Sequence, residues 1–304
     1  MWAERALEAW AALERDAIEE TRSGVRVLDG PGGERAPLWP IAHVLWAAAE
    51  VKAIGGEPPT DELCAALDPF RSGEAYAATP RGRRYFDDNA WLGLAMTRLG
   101  ETTADALWSE HAASLARFTE AGEHPDGGVR WAEGSESRNT CSTASSAWLL
   151  LASSTRDAVD VATRWIDWLD RTLLEADGLY ADRIEGDRIH HELWTYNQGA
   201  VLASRRLLAR PTDRLRDAIL ERWPADRLWH EPPAFAVIAY RTLLDDEERE
   251  RIDAVWDPYL ERLIADARDP DTGWYVRGAV GSYDGRPTID QAAIAQMFAL
   301  RAAR

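Results

Sequence analysis

Lysine is almost missing from this chain: Lys52 is the only one among 35 basic residues, and the rest are arginine. Basic residues are also outnumbered by 52 acids, for a net charge of −17. A phosphate backbone is bound through clustered Lys and Arg that release its counterions, so nucleic acid is not expected as a partner. Anionic membrane surfaces are disfavoured for the same reason. Cysteine is scarce as well. Cys64 and Cys141 stand alone, neither in a CxxC pair, and read as small core residues instead of a disulfide framework, metal ligands or nucleophiles. No apolar run approaches the roughly 20 residues needed to span a bilayer, so membrane insertion is not expected. The start, Met1-Trp2-Ala3-Glu4-Arg5, leads into mixed charges at Glu14, Arg15, Asp16, Glu19 and Glu20. That is not a basic stretch followed by an apolar one, and a cytoplasmic location is the expectation. There is no HExxH, no P-loop and no dinucleotide fingerprint. His190-His191-Glu192 places two histidines on opposite sides of an extended segment, a poor start for a zinc site. No metal and no cofactor is therefore expected.

What the chain does have is tryptophan, 15 of them, in a composition that is 46% hydrophobic. Most should pack a core, but a flat ring with a polar N–H edge also suits the apolar face of a pyranose. Helical periodicity dominates. Residues 37–54 place Ile41, Val44, Leu45, Ala48 and Val51 on one face and stop at Gly55-Gly56. Residues 86–99 carry Trp91, Leu92, Ala95 and Leu99 before Gly100. Residues 155–174 open on Thr155 as N-cap, and 245–265 open on an Asp245…Glu248 capping box. Further segments span about 2–20, 59–70, 103–120, 139–153, 194–209, 212–222, 232–243 and 288–303. Twelve helices make six hairpins, with no linker between them. The simplest architecture with that count is an all-α (α/α)6 toroid over residues 1–304, one domain, with small β-hairpin excursions in the loops. Residues 178–190 read as such a hairpin, and 128–131 and 273–277 as short extended stretches. An open helical solenoid would show the same periodicity, but no sequence repeat is visible. Connections at 21–36, 71–85, 121–138, 175–193 and 266–287 are long and those between them short, which points to a site built on one face.

The segment Tyr85-Phe86-Asp87-Asp88-Asn89-Ala90-Trp91 sets two acids side by side at the start of a helix. Retaining glycosidases need two carboxyl groups about 5–5.5 Å apart, a spacing adjacent residues can reach. Like charges so close raise one pKa, which leaves one group ionised as nucleophile and one protonated as acid. A bare Asp-Asp is more often a helix cap, as Asp245-Asp246 reads. The surrounding residues separate the two cases.

That segment resembles the signature Tyr-Tyr-Asp-Asp-Asn-Ala-Trp of glycoside hydrolase family 76, the endo-α-1,6-mannanases. Trp194-Thr195-Tyr196-Asn197-Gln198-Gly199 is similar to a second motif of that family. Gly127-Gly128-Val129-Arg130-Trp131 with Arg138-Asn139-Thr140 is similar to its Gly-Gly-…-Trp and Lys-Asn segment. Leu38-Trp39-Pro40 and Asp290-Gln291-Ala292-Ala293 also fit, so the likeness spans nearly the whole chain in order. Phe86 stands where the family has a second Tyr, and Arg138 where it has Lys, which keeps the charge but not the geometry. The resemblance implies an (α/α)6 fold and a retaining, metal-free hydrolysis of α-mannosidic, α-1,6 linkages in an oligosaccharide or polysaccharide. It makes Asp87 the nucleophile and Asp88 the acid/base. Candidate sugar-binding residues are Trp39, Tyr85, Asn89, Trp91, Trp131, Asn139, Trp194, Tyr196 and Asn197. Each has a plain alternative: core packing for the tryptophans, helix-start packing for 194–197 and a cap for Asn139. Tyr283 and Asp284 read as a surface turn near the site. Two other functions stay open: a sugar epimerase using His190 and His191 as bases, and a non-catalytic glycan-binding protein on the same fold.

Overall fold

The computed structural model describes residues 1–22, 24–154, 157–275 and 285–304. Thr155, Tyr283 and Asp284 lie outside the described residues. Thirteen α-helices are described: α1 (Trp2–Ala17), α2 (Leu38–Ala53), α3 (Thr60–Ala65), α4 (Phe86–Thr103), α5 (Ala106–Glu120), α6 (Thr140–Ala152) and α7 (Ala158–Thr172), then α8 (Thr195–Leu207), α9 (Asp213–Arg222), α10 (Ala225–Leu228), α11 (Pro233–Leu243), α12 (Arg249–Arg262) and α13 (Pro287–Ala302).

Six of these form a closed inner ring. Helix α2 packs on α4, α4 on α6, α6 on α8, α8 on α11, α11 on α13, and α13 back on α2. Closure excludes the open solenoid and gives the expected (α/α)6 toroid. The reason lies in the sequences. Every residue of α2 from Pro40 to Val51 is buried, and so is every residue of α13 from Thr288 to Ala299. A helix buried on every side has to be enclosed by neighbours. The outer helices carry one buried face each. Helix α7 buries Ala158, Ala162, Trp165, Ile166, Trp168 and Leu169, a stripe at helical spacing. It packs on α6 and α8, as α1 does on α13 and α2, and α5 on α4 and α6. Ten tryptophans, from Trp10 to Trp274, are buried, so most of the unusual tryptophan count is core. Where α8 crosses α11, a Cβ on Gly199 would sit 2.8 Å from the Ala239 backbone, so only glycine allows that approach.

At the far end of the ring from the long loops, Glu50 is 1% exposed and is gripped by Arg98 at 2.9 Å and Arg241 at 2.5 Å. This triad ties α2, α4 and α11 together. The guanidinium groups outweigh the effect of burial and hold the Glu50 carboxyl below its ordinary pKa. His43, about two turns from Glu50 on α2, is fully enclosed, and burial pushes it down to about 3, so it is a neutral core residue.

Several boundaries differ from the periodicity. Helix α4 passes through Gly100 and ends at Ala104, which takes the left-handed conformation at φ 57°. Gly100 is there for packing: a Cβ would meet Ser109 Oγ of α5 at 2.9 Å. The capping box at 245–248 is not formed; α12 starts at Arg249, and Asp246 instead accepts from the Glu248 N–H at 3.1 Å. Helix α1 stops at Ala17, because Ile18–Thr21 (β1) turns back to pair with Gly24–Val27 (β2). A second hairpin joins Arg71–Ser72 (β3) to Ala75–Tyr76 (β4). The expected hairpin at 178–190 is present as Arg183–Glu185 (β6) and Arg188–His190 (β7), and Arg138–Asn139 (β5) adds to its edge. Residues 128–131 make only isolated bridges, and 273–275 form no strand.

Candidate active site

The inner helices all start at the same end of the ring, and a cavity of about 780 Å³ opens there. The second residue of four of them lines it: Trp39 on α2, Asp87 on α4, Cys141 on α6 and Tyr196 on α8. Four long loops complete the wall, through Ala78–Tyr85, Trp131–Asn139, Asp182–Glu185 and Arg286. Each helix N-terminus contributes unsatisfied N–H groups and partial positive charge, which favours carboxylates in the first turn. Asp87 and Asp88 occupy that turn of α4.

Asp87 is 9% exposed. Its Oδ2 accepts from Trp131 Nε1 at 3.1 Å and from Cys141 Sγ at 3.4 Å. Its Oδ1 is buried and has no hydrogen-bond partner. Burial pushes the Asp87 carboxyl up to about 6, against the pull of these donors and of nearby backbone N–H groups. Asp88 is pushed well above the ordinary carboxylate range by burial and then by the charge of Asp87, with Arg286 opposing. The pair therefore titrates in steps, and near neutrality Asp87 is the ionised member beside a protonated Asp88.

Three of the candidate residues do not reach the wall. Asn89 is fully buried, and its amide clamps the preceding loop by bonding both N and O of Tyr76 at 2.9 Å, with the Tyr85 carbonyl at 2.7 Å. The same device recurs. Gln198 of α8 bonds N and O of Tyr180 at 2.8 and 2.9 Å. Gln291 of α13 accepts from the Tyr275 N–H at 3.0 Å and donates to the Gly273 carbonyl at 3.3 Å. Asn197 is buried behind Asp182, donating to its Oδ1 at 3.2 Å. Trp194 precedes α8 and packs edge-on against Phe235 at 5.6 Å instead of lining the cavity. Trp39, Tyr85, Trp91, Trp131, Asn139 and Tyr196 do line it. Asn139 is held from behind by Ser137 Oγ at 2.7 Å. Trp131 is 39% exposed and meets Tyr85 edge-on at 4.9 Å, forming an aromatic corner at the mouth.

Several wall residues are not among the candidates, Asp182 and Cys141 among them. Asp182 is 6% exposed, bonded by Asn197 and, at 2.6 Å, by Arg183. Its place depends on the pairing of β5 with β6 across some forty residues, so no local motif announces it. Cys141 is in the core, as expected, and it also touches Asp87. The signal was its position: it is the second residue of an inner helix, like Asp87 and Tyr196. His190 lies 3.9 Å from Glu185 and His191 beside Glu175, and neither histidine lines the cavity. Among the described residues no group of three or more His, Cys, Asp or Glu side chains is placed to hold a metal ion, and no helix is long and apolar enough to cross a membrane.

A closed α/α toroid with paired acids at the cavity floor is a glycoside hydrolase architecture. The chain belongs to glycosyl hydrolase family 76, whose sequence profile matches residues 19–222. No curated protein matches the sequence. Solved structures give the same fold. A family 76 glycoside hydrolase from a bovine Bacteroides thetaiotaomicron strain superposes with a TM-score of 0.83 at 17% identity, over 99% of this chain and 77% of that one. The α-1,6-mannanase of the family from Salegentibacter sp. HEL1_6 gives 0.79 at 20%, over 100% of both chains. An inactive variant of that mannanase, with two consecutive aspartates replaced by alanine, is in complex with α-1,6-mannotetrose; it gives 0.80 at 19%, again over 100% of both.

Proposed function

We propose that this protein hydrolyses α-mannosidic linkages, α-1,6 in particular, by double displacement at Asp87 and Asp88. The observation that carries the reading is the pair itself: two adjacent carboxyls in one cavity, Asp87 buried and Asp88 half-buried, the first pushed up to about 6 and the second well above the ordinary range. That is the division of labour a retaining glycosidase requires. The choice of sugar and linkage is taken from the Salegentibacter relative, which is an α-1,6-mannanase and whose inactive variant holds α-1,6-mannotetrose.

In the first step Asp87 attacks the anomeric carbon while Asp88 gives its proton to the departing glycosidic oxygen. The C–O bond to the leaving sugar breaks, and a glycosyl ester forms on Asp87. In the second step Asp88, now ionised, takes a proton from water, and the water oxygen attacks the anomeric carbon. Asp87 leaves as carboxylate, and Asp88 is reprotonated. The two displacements restore the original anomeric configuration. Helix α4 stabilises negative charge at its first turn throughout. The Trp131–Tyr85 corner offers an apolar ring face to a pyranose.

The test is turnover of α-1,6-mannooligosaccharides by the wild type and by Asp87→Asn and Asp88→Asn. Loss of at least about 10²-fold in each variant is expected of a nucleophile and of a general acid. Near-wild-type turnover in either one would remove the assignment.

A further inference from the structure

We infer that Cys141 is a positioning residue: with Trp131 it holds Oδ2 of Asp87 and fixes the rotation of that carboxylate. The inference rests on the proposed role of Asp87 as nucleophile and concerns how that carboxylate is oriented.

A carboxylate can rotate about its Cβ–Cγ bond and present either oxygen. In this site the rotation is opposed from two sides. Trp131 Nε1, reaching in from the loop before α6, donates to Oδ2 at 3.1 Å. Cys141 Sγ, from the first turn of α6, donates to the same oxygen at 3.4 Å. The other oxygen, Oδ1, is buried without a partner on the same cavity-lining residue. With Oδ1 enclosed, the two donors on Oδ2 set the orientation of the carboxylate. Cys141 is itself 1% exposed, so its thiol is shielded from bulk water and keeps its proton: burial and the charges of Asp87 and Asp182 push it well above the ordinary thiol range. It is thus a donor to Asp87 and not a competing nucleophile. The Tyr196 side chain, from α8, lies beside Cys141. Side chains from three adjacent inner helices, Tyr196, Cys141 and Asp87, therefore meet in one place. The ring closure that brings α4, α6 and α8 side by side is what assembles them.

The groups facing Asp87 are Asp88 on its own helix, Cys141 on α6, Tyr196 on α8 and Trp131 from the loop, with Arg286 acting on Asp88. Removing the thiol takes away a donor that favours the ionised form of Asp87, so the acid limb of kcat/KM has to move to higher pH. Cys141→Ala is expected to lower kcat/KM on α-1,6-mannotetraose at neutral pH by about three- to tenfold, as suits one weak donor to a charged acceptor. The loss should fall in kcat with KM little changed, since the thiol does not bind the resting sugar. Cys141→Ser keeps a donor at the same position and should recover the acid limb at least in part. Thermal unfolding of both variants checks that the toroid persists.

An acid limb and kcat unchanged in Cys141→Ala would overturn the proposal, and so would a serine variant indistinguishable from the alanine one. Either result alongside an inactive Asp87→Asn would leave the nucleophile assignment intact. An active Asp87→Asn would instead remove the reading on which the proposal rests.

Discussion

Trp131 Nε1 donates to Asp87 Oδ2 at 3.1 Å, across the 44 residues that separate α4 from the loop before α6. This bond joins the aromatic wall of the cavity to its acid floor. It also opposes the burial that pushes the Asp87 carboxyl up. Trp131→Phe keeps a flat ring and removes the N–H. A hydrogen bond to a charged group is worth about 1.5–3 kcal/mol, so kcat/KM near neutrality should fall about 10- to 100-fold. The acid limb, near pH 6 in the wild type, should shift upward. A pH–rate profile of the variant checks both.

Asp87 should be a liability for stability. Its folded pKa, about 6, lies above the ordinary carboxylate value. The folded state thus binds a proton more tightly than the unfolded one, and ionised Asp87 destabilises the fold above pH 6. The penalty fades as pH falls toward the unfolded value near 4. Asp87→Asn should gain about 1–3 kcal/mol at pH 7.5 and nearly nothing at pH 4. Urea unfolding at the two pH values measures the difference.

Glu50 works in the opposite direction. Its folded pKa is held below the ordinary value by Arg241 and Arg98. Its contribution is therefore complete above the unfolded pKa, about 4.3, and is lost as pH falls through the lower folded value. Glu50→Gln leaves the mostly enclosed Arg241 and the half-buried Arg98 underpaired and should cost about 3–5 kcal/mol at pH 7. The gap to wild type should narrow at strongly acidic pH, and urea midpoints across the acid range read it directly.

How much of this was legible beforehand varies with the range of the interactions. The inner helices were legible because apolar residues recur at helical spacing, as Ile41, Val44, Leu45, Ala48 and Val51 do in 37–54. Asp87 and Asp88 were legible only with their neighbours; alone they read as a cap. Asn89, in the same motif, looked like a sugar contact because its sequence neighbours are in the site. Its amide is spent on Tyr76, in a loop clamp that Gln198 and Gln291 repeat, and a side chain's direction around a helix is not written in the motif. Asp182 and Cys141 were missed for a different reason. Their roles come from strand pairing and ring closure between distant segments, which local periodicity does not encode. The hairpin that ends α1 at Ala17 and the passage of α4 through Gly100 were hidden likewise, because tertiary packing overrode local propensity.

The central claim is that Asp87 forms a glycosyl ester and that hydrolysis proceeds with retention. Proton NMR of α-1,6-mannotetraose cleavage in its first minutes, before mutarotation mixes the anomers, tests it most directly. The account predicts that the new reducing end appears first as the α-anomer. Initial release of the β-anomer would show a single displacement by water and would contradict it.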